Sequence, residues 1–169
     1  MFFYDSGKIC VIAYTRCGHT SMYEHFGYKR PYKFSYEDDH YKSFEISNTE
    51  EKVVVMRNPY ERLCSAITNA NHLSMSKYRK KFILEHSNLE LQKLLEVDTN
   101  YKIIHFKNLS KYVAVGKRTN PTYSIRPPYY EQWMSSFYTE KEMDDEYDAY
   151  LRIVTQHEEM DVNKWHLLT

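Results

Sequence analysis

Two short segments of this chain combine positive charge, hydroxyl groups and a helix start in a way that suits a phosphate or sulfate group. The first follows an apolar run and has the sequence Arg16-Cys17-Gly18-His19-Thr20-Ser21. Backbone N–H groups at a helix N-terminus lack partners within the helix, and the helix dipole favours an anion there. Gly18 allows close approach of the backbone, and Arg16 carries a permanent charge with forked donors. The alternative is an ordinary strand–turn–helix connection with a capping threonine and a solvated arginine.

The second segment begins with Arg57-Asn58-Pro59, directly after a run of valines. Asn58 is a good helix N-cap, and Pro59 suits the first helical position. Ser65 then lies near the end of the second turn, where its hydroxyl could share one anion with an extended Arg57 side chain. The alternative is a surface Arg57 and a small packing residue at Ser65. The two segments together favour an anion site over these structural alternatives.

The elements around the segments decide whether they can meet. Apolar runs predict strands at Ile9–Ala13, Val53–Met56 and Tyr101–Phe106. A helix follows each segment, the second from Pro59 to about Ala70. This order predicts an α/β domain, one domain over residues 1–169, with a small parallel sheet flanked by helices. Ligands bind at the carboxyl ends of such strands, where both segments lie.

A final helix is predicted from a capping box, because Thr139 is followed three residues later by Glu142. Apolar residues at spacings of three and four predict its inner face. They are Met143, Tyr147, Tyr150, Leu151 and Val154.

Composition excludes several functions. Lys plus Arg equals Asp plus Glu at 23 each in the 169 residues, so no basic field attracts nucleic acid. The longest uncharged apolar run, Ile9–Tyr14, is far below the roughly 20 residues of a membrane span. We therefore expect no nucleic-acid partner, no membrane partner, and no signal peptide or anchor.

The chain has an odd number of cysteines, Cys10, Cys17 and Cys64, at no metal-ligand spacing. Cys10 lies in a predicted strand and Cys64 on a predicted helix. The pattern predicts buried thiols in a reducing compartment, and so a cytoplasmic location.

On these residues the chain resembles the PAPS-dependent sulfotransferases, most closely the carbohydrate sulfotransferases. The segment 16–21 resembles the loop Lys/Arg-x-Gly-x-Thr/Ser-Ser, which binds the 5′-phosphosulfate of PAPS (3′-phosphoadenosine-5′-phosphosulfate). The segment 57–65 follows the pattern Arg-Asp/Asn-Pro-x-Glu-Arg-Leu-x-Ser, which binds the 3′-phosphate. The run Phe106-Lys107-Asn108-Leu109 is similar to the family's Phe/Tyr-Glu-Asn/Asp-Leu, and residues 120–151 are similar to the region before its final helix.

The resemblance implies a P-loop-like, three-layer fold and the transfer of a sulfuryl group from PAPS to a hydroxyl acceptor, a saccharide or small alcohol. The product is 3′,5′-ADP, and no metal is required. The implied cofactor-binding residues are Arg16, Cys17, Gly18, His19, Thr20, Ser21, Arg57, Ser65, Lys117 and Arg118. For the last two, a plain solvated basic turn is an equal alternative.

For catalysis, the resemblance gives Arg16 the position that a lysine usually holds. Because arginine hardly donates a proton at neutral pH, we expect Arg16 to stabilise charge on the leaving phosphate oxygen. His19 is a candidate acid or a phosphate ligand. The acceptor also needs a base, for which the candidates are His40, Glu45, Asp38 and Asp39. We prefer His40 because its pKa suits proton abstraction near neutrality, although a surface histidine in an acidic turn is almost an equal interpretation.

The chain also departs from the family. It is short, His19 stands where a threonine or serine is usual, Lys107 replaces an acidic residue, and we expect no Golgi anchor. Two other functions stay open. One is a kinase-like phosphotransferase, although the Gly-Lys-Ser/Thr ending of a Walker A loop is absent. The other is a module that binds PAPS or a nucleotide without catalysis.

Overall fold

The structure, a computed structural model, describes residues 2–5, 8–13, 16–26, 51–69, 100–115, 131–132, 135 and 138–168. The strands in these ranges are β1 (Phe2–Asp5), β2 (Ile9–Ala13), β3 (Glu51–Met56), β4 (Tyr101–His105) and β5 (Glu158–Glu159). The helices are α1 (His19–His25), α2 (Pro59–Asn69), a 3₁₀ helix (Phe106–Lys111), α3 (Glu140–Gln156) and α4 (Val162–Leu168).

The strands form one sheet in the order β1-β2-β3-β4-β5. β1 pairs with β2 in antiparallel fashion, while β2, β3, β4 and β5 are parallel neighbours. This confirms the predicted α/β class, in which helices alternate along the chain with the strands of a small parallel sheet. β1, β5 and α4 were not predicted.

The centre of the sheet is buried on both sides. Val53, Val54 and Val55 have no exposed surface, although alternate residues of a strand point to opposite faces. Residues 10–13 of β2 are equally buried. Continuous apolar strands of this kind are typical of parallel sheets with both faces covered.

Local sequence signals set the starts of two helices as predicted. The side-chain Oδ1 of Asn58 accepts a hydrogen bond from the backbone N–H of Tyr60 at 2.9 Å, and α2 begins at Pro59. At α3 the capping box is complete. The backbone N–H of Glu142 donates to Thr139 Oγ1, and the backbone N–H of Thr139 donates to Glu142 Oε2.

The predicted strand 101–106 is one residue too long. Phe106 leaves the sheet and begins the 3₁₀ helix instead. Its side chain is 5% exposed and contacts the two segments identified above, as described below.

The predicted inner face of α3 is partly confirmed, because Met143 is buried and Tyr150 and Val154 pack against the core. The buried residues of the helix are Met143, Glu146, Ala149 and Ile153, whereas Leu151 is 39% exposed. The tyrosines at 147 and 150 are only partly buried. The Tyr147 ring lies 5.6 Å from that of Tyr60 on α2. Tyr147 thus lies beside the contact between α2 and α3, and its ring stacks on that of Tyr150, which packs against the core.

The C-terminal part closes the core with Trp165 of α4, which has no exposed surface. Its ring lies 5.7 Å from that of Phe26 and 5.6 Å from that of Tyr112. Among the residues that the structure describes, no helix is both long enough and apolar enough to cross a bilayer.

Candidate anion-binding site

The two predicted segments follow adjacent strands. β2 and β3 pair in parallel, with Ala13 opposite Val55, so the segments that follow the two strands leave the sheet at the same edge. Here we call residues 16–18 the first loop and residues 57–58 the second loop. The first loop leads into α1 and the second into α2.

The side chain of Arg16 crosses from the first loop to α2. Its Nε and Nη2 donate hydrogen bonds to Ser65 Oγ at 3.1 and 3.0 Å. Ser65 is 3% exposed, and Arg16 is half-buried. The interpretation of Arg16 as a solvated side chain is therefore wrong, and Ser65 is a hydrogen-bonding partner as well as a packing residue.

Arg57 is a buried cation, with 3% of its side chain exposed. Its Nη1 donates to the backbone oxygen of Arg16 at 2.9 Å, and its guanidinium carbon lies 4.1 Å from the centre of the Phe106 ring. The alternative of a surface Arg57 is wrong. Ser65 thus bonds to Arg16 and Arg57 to the first-loop backbone, and the sharing of one anion by Arg57 and Ser65 stays a prediction.

Two nitrogens of this buried guanidinium, Nε and Nη2 of Arg57, have no hydrogen-bond partner among the described residues. Glu61 Oε2 lies 4.0 Å from Nε, beyond hydrogen-bonding distance, and its side chain is 47% exposed. An unsatisfied buried donor costs about 1–3 kcal/mol, and more when it is charged. Burial lowers the pKa of Arg57, yet arginine remains a cation at neutral pH. The site therefore holds a buried charge that an anion would stabilise.

The first loop has an unusual backbone. Arg16 has φ 67° and Gly18 has φ 80°, both in the left-handed region that only glycine adopts readily. A Cβ atom on Gly18 would overlap Leu109 Cδ2 and lie 3.3 Å from Phe106 Cε2. Conformation and packing against the 3₁₀ helix thus explain this glycine without any ligand.

The other residues of the segment lie on different sides of α1. Gly18 is the N-cap of this helix and no side chain caps it, so the interpretation with a capping threonine is wrong. Ser21 is 1% exposed and Thr20 is exposed. α1 is short, with seven residues. The positive charge at this edge of the sheet comes mainly from the guanidinium groups of Arg16 and Arg57.

Cys17 is a free cysteine, 2% exposed. Burial raises the pKa of its thiol, and the nearby cations Arg62, Arg57 and Arg16 oppose this shift. The thiol is therefore neutral at physiological pH. Cys10 and Cys64 are also buried, which confirms the prediction of buried thiols.

Several predicted site residues cannot be placed. His40, Glu45, Lys117 and Arg118 lie outside the described residues, as do the alternative bases at positions 38 and 39. For His19 the structure describes the helical backbone and not the side chain.

Sequence reasoning missed two residues at the site. Phe106 had no predicted role, although an aromatic residue at a strand end beside two arginine loops is a usable signal. Arg62 is 3% exposed on α2, near the buried Tyr138 and Glu146. Burial raises the pKa of Tyr138 to about 12, and Arg62 acts against that shift.

Comparison with known proteins adds no relative. No protein-family model, no curated protein and no solved structure matches the chain. The resemblance to sulfotransferases rests on the motif residues alone.

Proposed function

We propose that this chain is a PAPS-dependent sulfotransferase with a P-loop-like, three-layer domain, which moves a sulfuryl group from PAPS to a saccharide or small-alcohol hydroxyl. The observation that carries the proposal is the buried Arg57 guanidinium. Two of its nitrogens lack a hydrogen-bond partner among the described residues, at the sheet edge where Arg16 meets Ser65.

The donor groups fit a 3′-phosphate. A phosphate oxygen at Arg57 Nη2 would replace a missing hydrogen bond with a charge-assisted one. Ser65 Oγ accepts from Arg16 and still has its own hydroxyl hydrogen to donate to the same phosphate. Arg57 and Ser65 would therefore hold the 3′-phosphate.

In the reaction, PAPS supplies a sulfuryl group whose leaving oxygen belongs to a phosphate. The protein must stabilise the negative charge that grows on this oxygen and accept the proton of the attacking hydroxyl. Arg16 is assigned the first task. Since arginine is no useful acid or base at neutral pH, the second task falls to His40 or Glu45, with His19 as a candidate acid. Lys117 and Arg118 are assigned to the 3′-phosphate.

The cellular location proposed is the cytoplasm. The three cysteines are buried, and none forms a disulfide, which supports a compartment that keeps thiols reduced.

Binding and transfer assays test the proposal. Calorimetry should find that 3′,5′-ADP binds at least tenfold more tightly than 5′-AMP, because the 3′-phosphate adds charge-assisted hydrogen bonds. Incubation with ³⁵S-labelled PAPS and a panel of sugars, alcohols and phenols should label at least one acceptor.

Two outcomes contradict the proposal in different ways. Binding of ATP with Mg²⁺ in preference to 3′,5′-ADP would indicate a kinase-like phosphotransferase. Binding of PAPS with no transfer to any acceptor would indicate a nucleotide-binding module.

A further inference from the structure

One aromatic ring contacts both loops of the candidate site. Phe106 lies where β4 ends and the 3₁₀ helix begins. On one side, the Arg57 guanidinium carbon is 4.1 Å from the ring centre. On another, the ring edge lies 3.3 Å from where a Cβ atom of Gly18 would be. The ring therefore touches the second loop through its cation and the first loop through its glycine.

The ring restricts an otherwise flexible cation. A free arginine side chain samples many rotamers, and binding must remove that conformational entropy unless the protein has already done so. For Arg57 the hydrogen bond to Arg16 fixes Nη1, and the ring covers one face of the guanidinium. The N–H groups of Nε and Nη2 lie in the guanidinium plane, so a ring stacked on one face does not itself occupy the direction in which these groups donate.

The ring also keeps water from the charge. Phe106 is 5% exposed, and the side chain of Arg57 is 3% exposed. Since charge–charge attraction grows as the local dielectric constant falls, a dry guanidinium attracts a phosphate more strongly than a hydrated one.

We infer that Phe106 is a positioning residue, which holds Arg57 in place against the first loop and so sets how much a 3′-phosphate adds to nucleotide affinity. This role rests on the proposed function, because it presupposes a nucleotide with phosphates at both loops. Phe106 acts through Arg57 and takes no part in the chemistry.

The test compares two nucleotides that differ only in the 3′-phosphate. Calorimetry gives the ratio of the Kd of 5′-AMP to that of 3′,5′-ADP for the wild type, Phe106→Met and Phe106→Tyr. Methionine fills a similar volume without an aromatic face, and we expect the ratio to fall about tenfold, as befits a desolvated cation–π contact. Tyrosine keeps the aromatic face and should keep the ratio within about twofold.

Tyr112→Leu is the matched control. Tyr112 is a buried aromatic residue that follows the same 3₁₀ helix and contacts Trp165, with rings 5.6 Å apart. Thermal unfolding of each variant measures the loss of stability. The positioning role requires the nucleotide ratio to fall in Phe106→Met and not in Tyr112→Leu at a comparable loss of stability.

The outcomes separate this inference from the proposed function. A wild type with no preference for the 3′-phosphate overturns both. A wild type with the preference, and a Phe106→Met variant that keeps it, overturns the positioning role alone. Should Phe106→Met fail to fold, NMR of the wild type decides, since the ring must shift the Arg57 side-chain protons upfield. Unshifted protons would overturn the inference.

Discussion

The first and second loops follow neighbouring strands, yet they are built in opposite ways. The second obeys local rules, with an Asn58 cap on α2 and Pro59 at the first helical position. The first breaks them, with left-handed backbone at Arg16 and Gly18 and no side-chain cap on α1. A non-glycine residue in the left-handed region costs about 1–3 kcal/mol, and surrounding contacts must maintain it.

Those contacts come from the second loop and its helix. Arg57 Nη1 donates a hydrogen bond to the backbone oxygen of Arg16, and Ser65 Oγ accepts two from the Arg16 side chain. One loop therefore keeps its own shape, while the other is shaped by its neighbour. Loss of Arg57 should therefore alter both loops, whereas changes in the first loop should remain local.

The largest effect is expected from Arg57→Ala. The variant loses the buried charge, the hydrogen bond to Arg16 and the contact with Phe106. Removal of one partner of a buried, hydrogen-bonded charge pair costs about 2–5 kcal/mol, so the affinity for 3′,5′-ADP should fall about a thousandfold by calorimetry. The control is Arg152→Ala on the exposed side of α3, which should bind like the wild type. Unchanged affinity in Arg57→Ala would remove the basis of the site.

Arg16→Ala should separate binding from catalysis. If Arg16 acts on the leaving oxygen, its contact is strongest in the transition state, and kcat should fall about a hundredfold. The Kd of PAPS should change only severalfold. The measurement is steady-state kinetics with calorimetry on the same protein. Equal losses in kcat and affinity would show that Arg16 serves binding alone.

Gly18→Ala tests the shape of the first loop without touching a charge. The added Cβ overlaps Leu109 and forces a left-handed alanine, so we expect a loss of about 2 kcal/mol in the free energy of unfolding. Urea titration measures it. The double variant Gly18→Ala/Leu109→Ala shows whether the overlap matters. Gly18→Ala should lower the free energy of unfolding less in the Leu109→Ala background than in the wild type. Equal losses would mean that the left-handed φ of residue 18 alone causes the destabilisation.

The smallest effect is expected from Asn58→Ala. The variant loses the hydrogen bond from Tyr60 N–H to Asn58 and should lower stability by about 1 kcal/mol. Because Pro59 still favours the helix start, the affinity for 3′,5′-ADP should remain unchanged. A large loss of affinity would mean that the cap, and not Arg57, determines the shape of the second loop.

Local patterns in the sequence predict the elements that local forces determine. The valine run of β3, the Asn58 cap and the Thr139 capping box each identify an element from nearby residues alone. β5 escapes such reasoning because Glu158–Glu159 has no apolar pattern and becomes a strand only by pairing with β4.

The site was predictable in outline for the same reason. Parallel neighbouring strands bring their carboxyl ends together, so Arg16 and Arg57 had to approach each other. Their individual partners were not predictable, because a long arginine side chain has many rotamers and tertiary packing selects one. The Ser65 hydroxyl selects the rotamer of Arg16, from which it is 49 residues away in sequence. The Phe106 ring selects the rotamer of Arg57.

The last strand in the described sheet, β5, bears on self-association. It has two residues, both exposed glutamates, and Glu158 forms an ion pair with Lys102 of the adjacent strand. An outer strand this short offers few unpaired backbone groups, and its negative charge repels an identical strand from another copy. This margin of the sheet is therefore protected against intermolecular strand addition, and concentrated solutions of the protein should resist amyloid-like aggregation from this side.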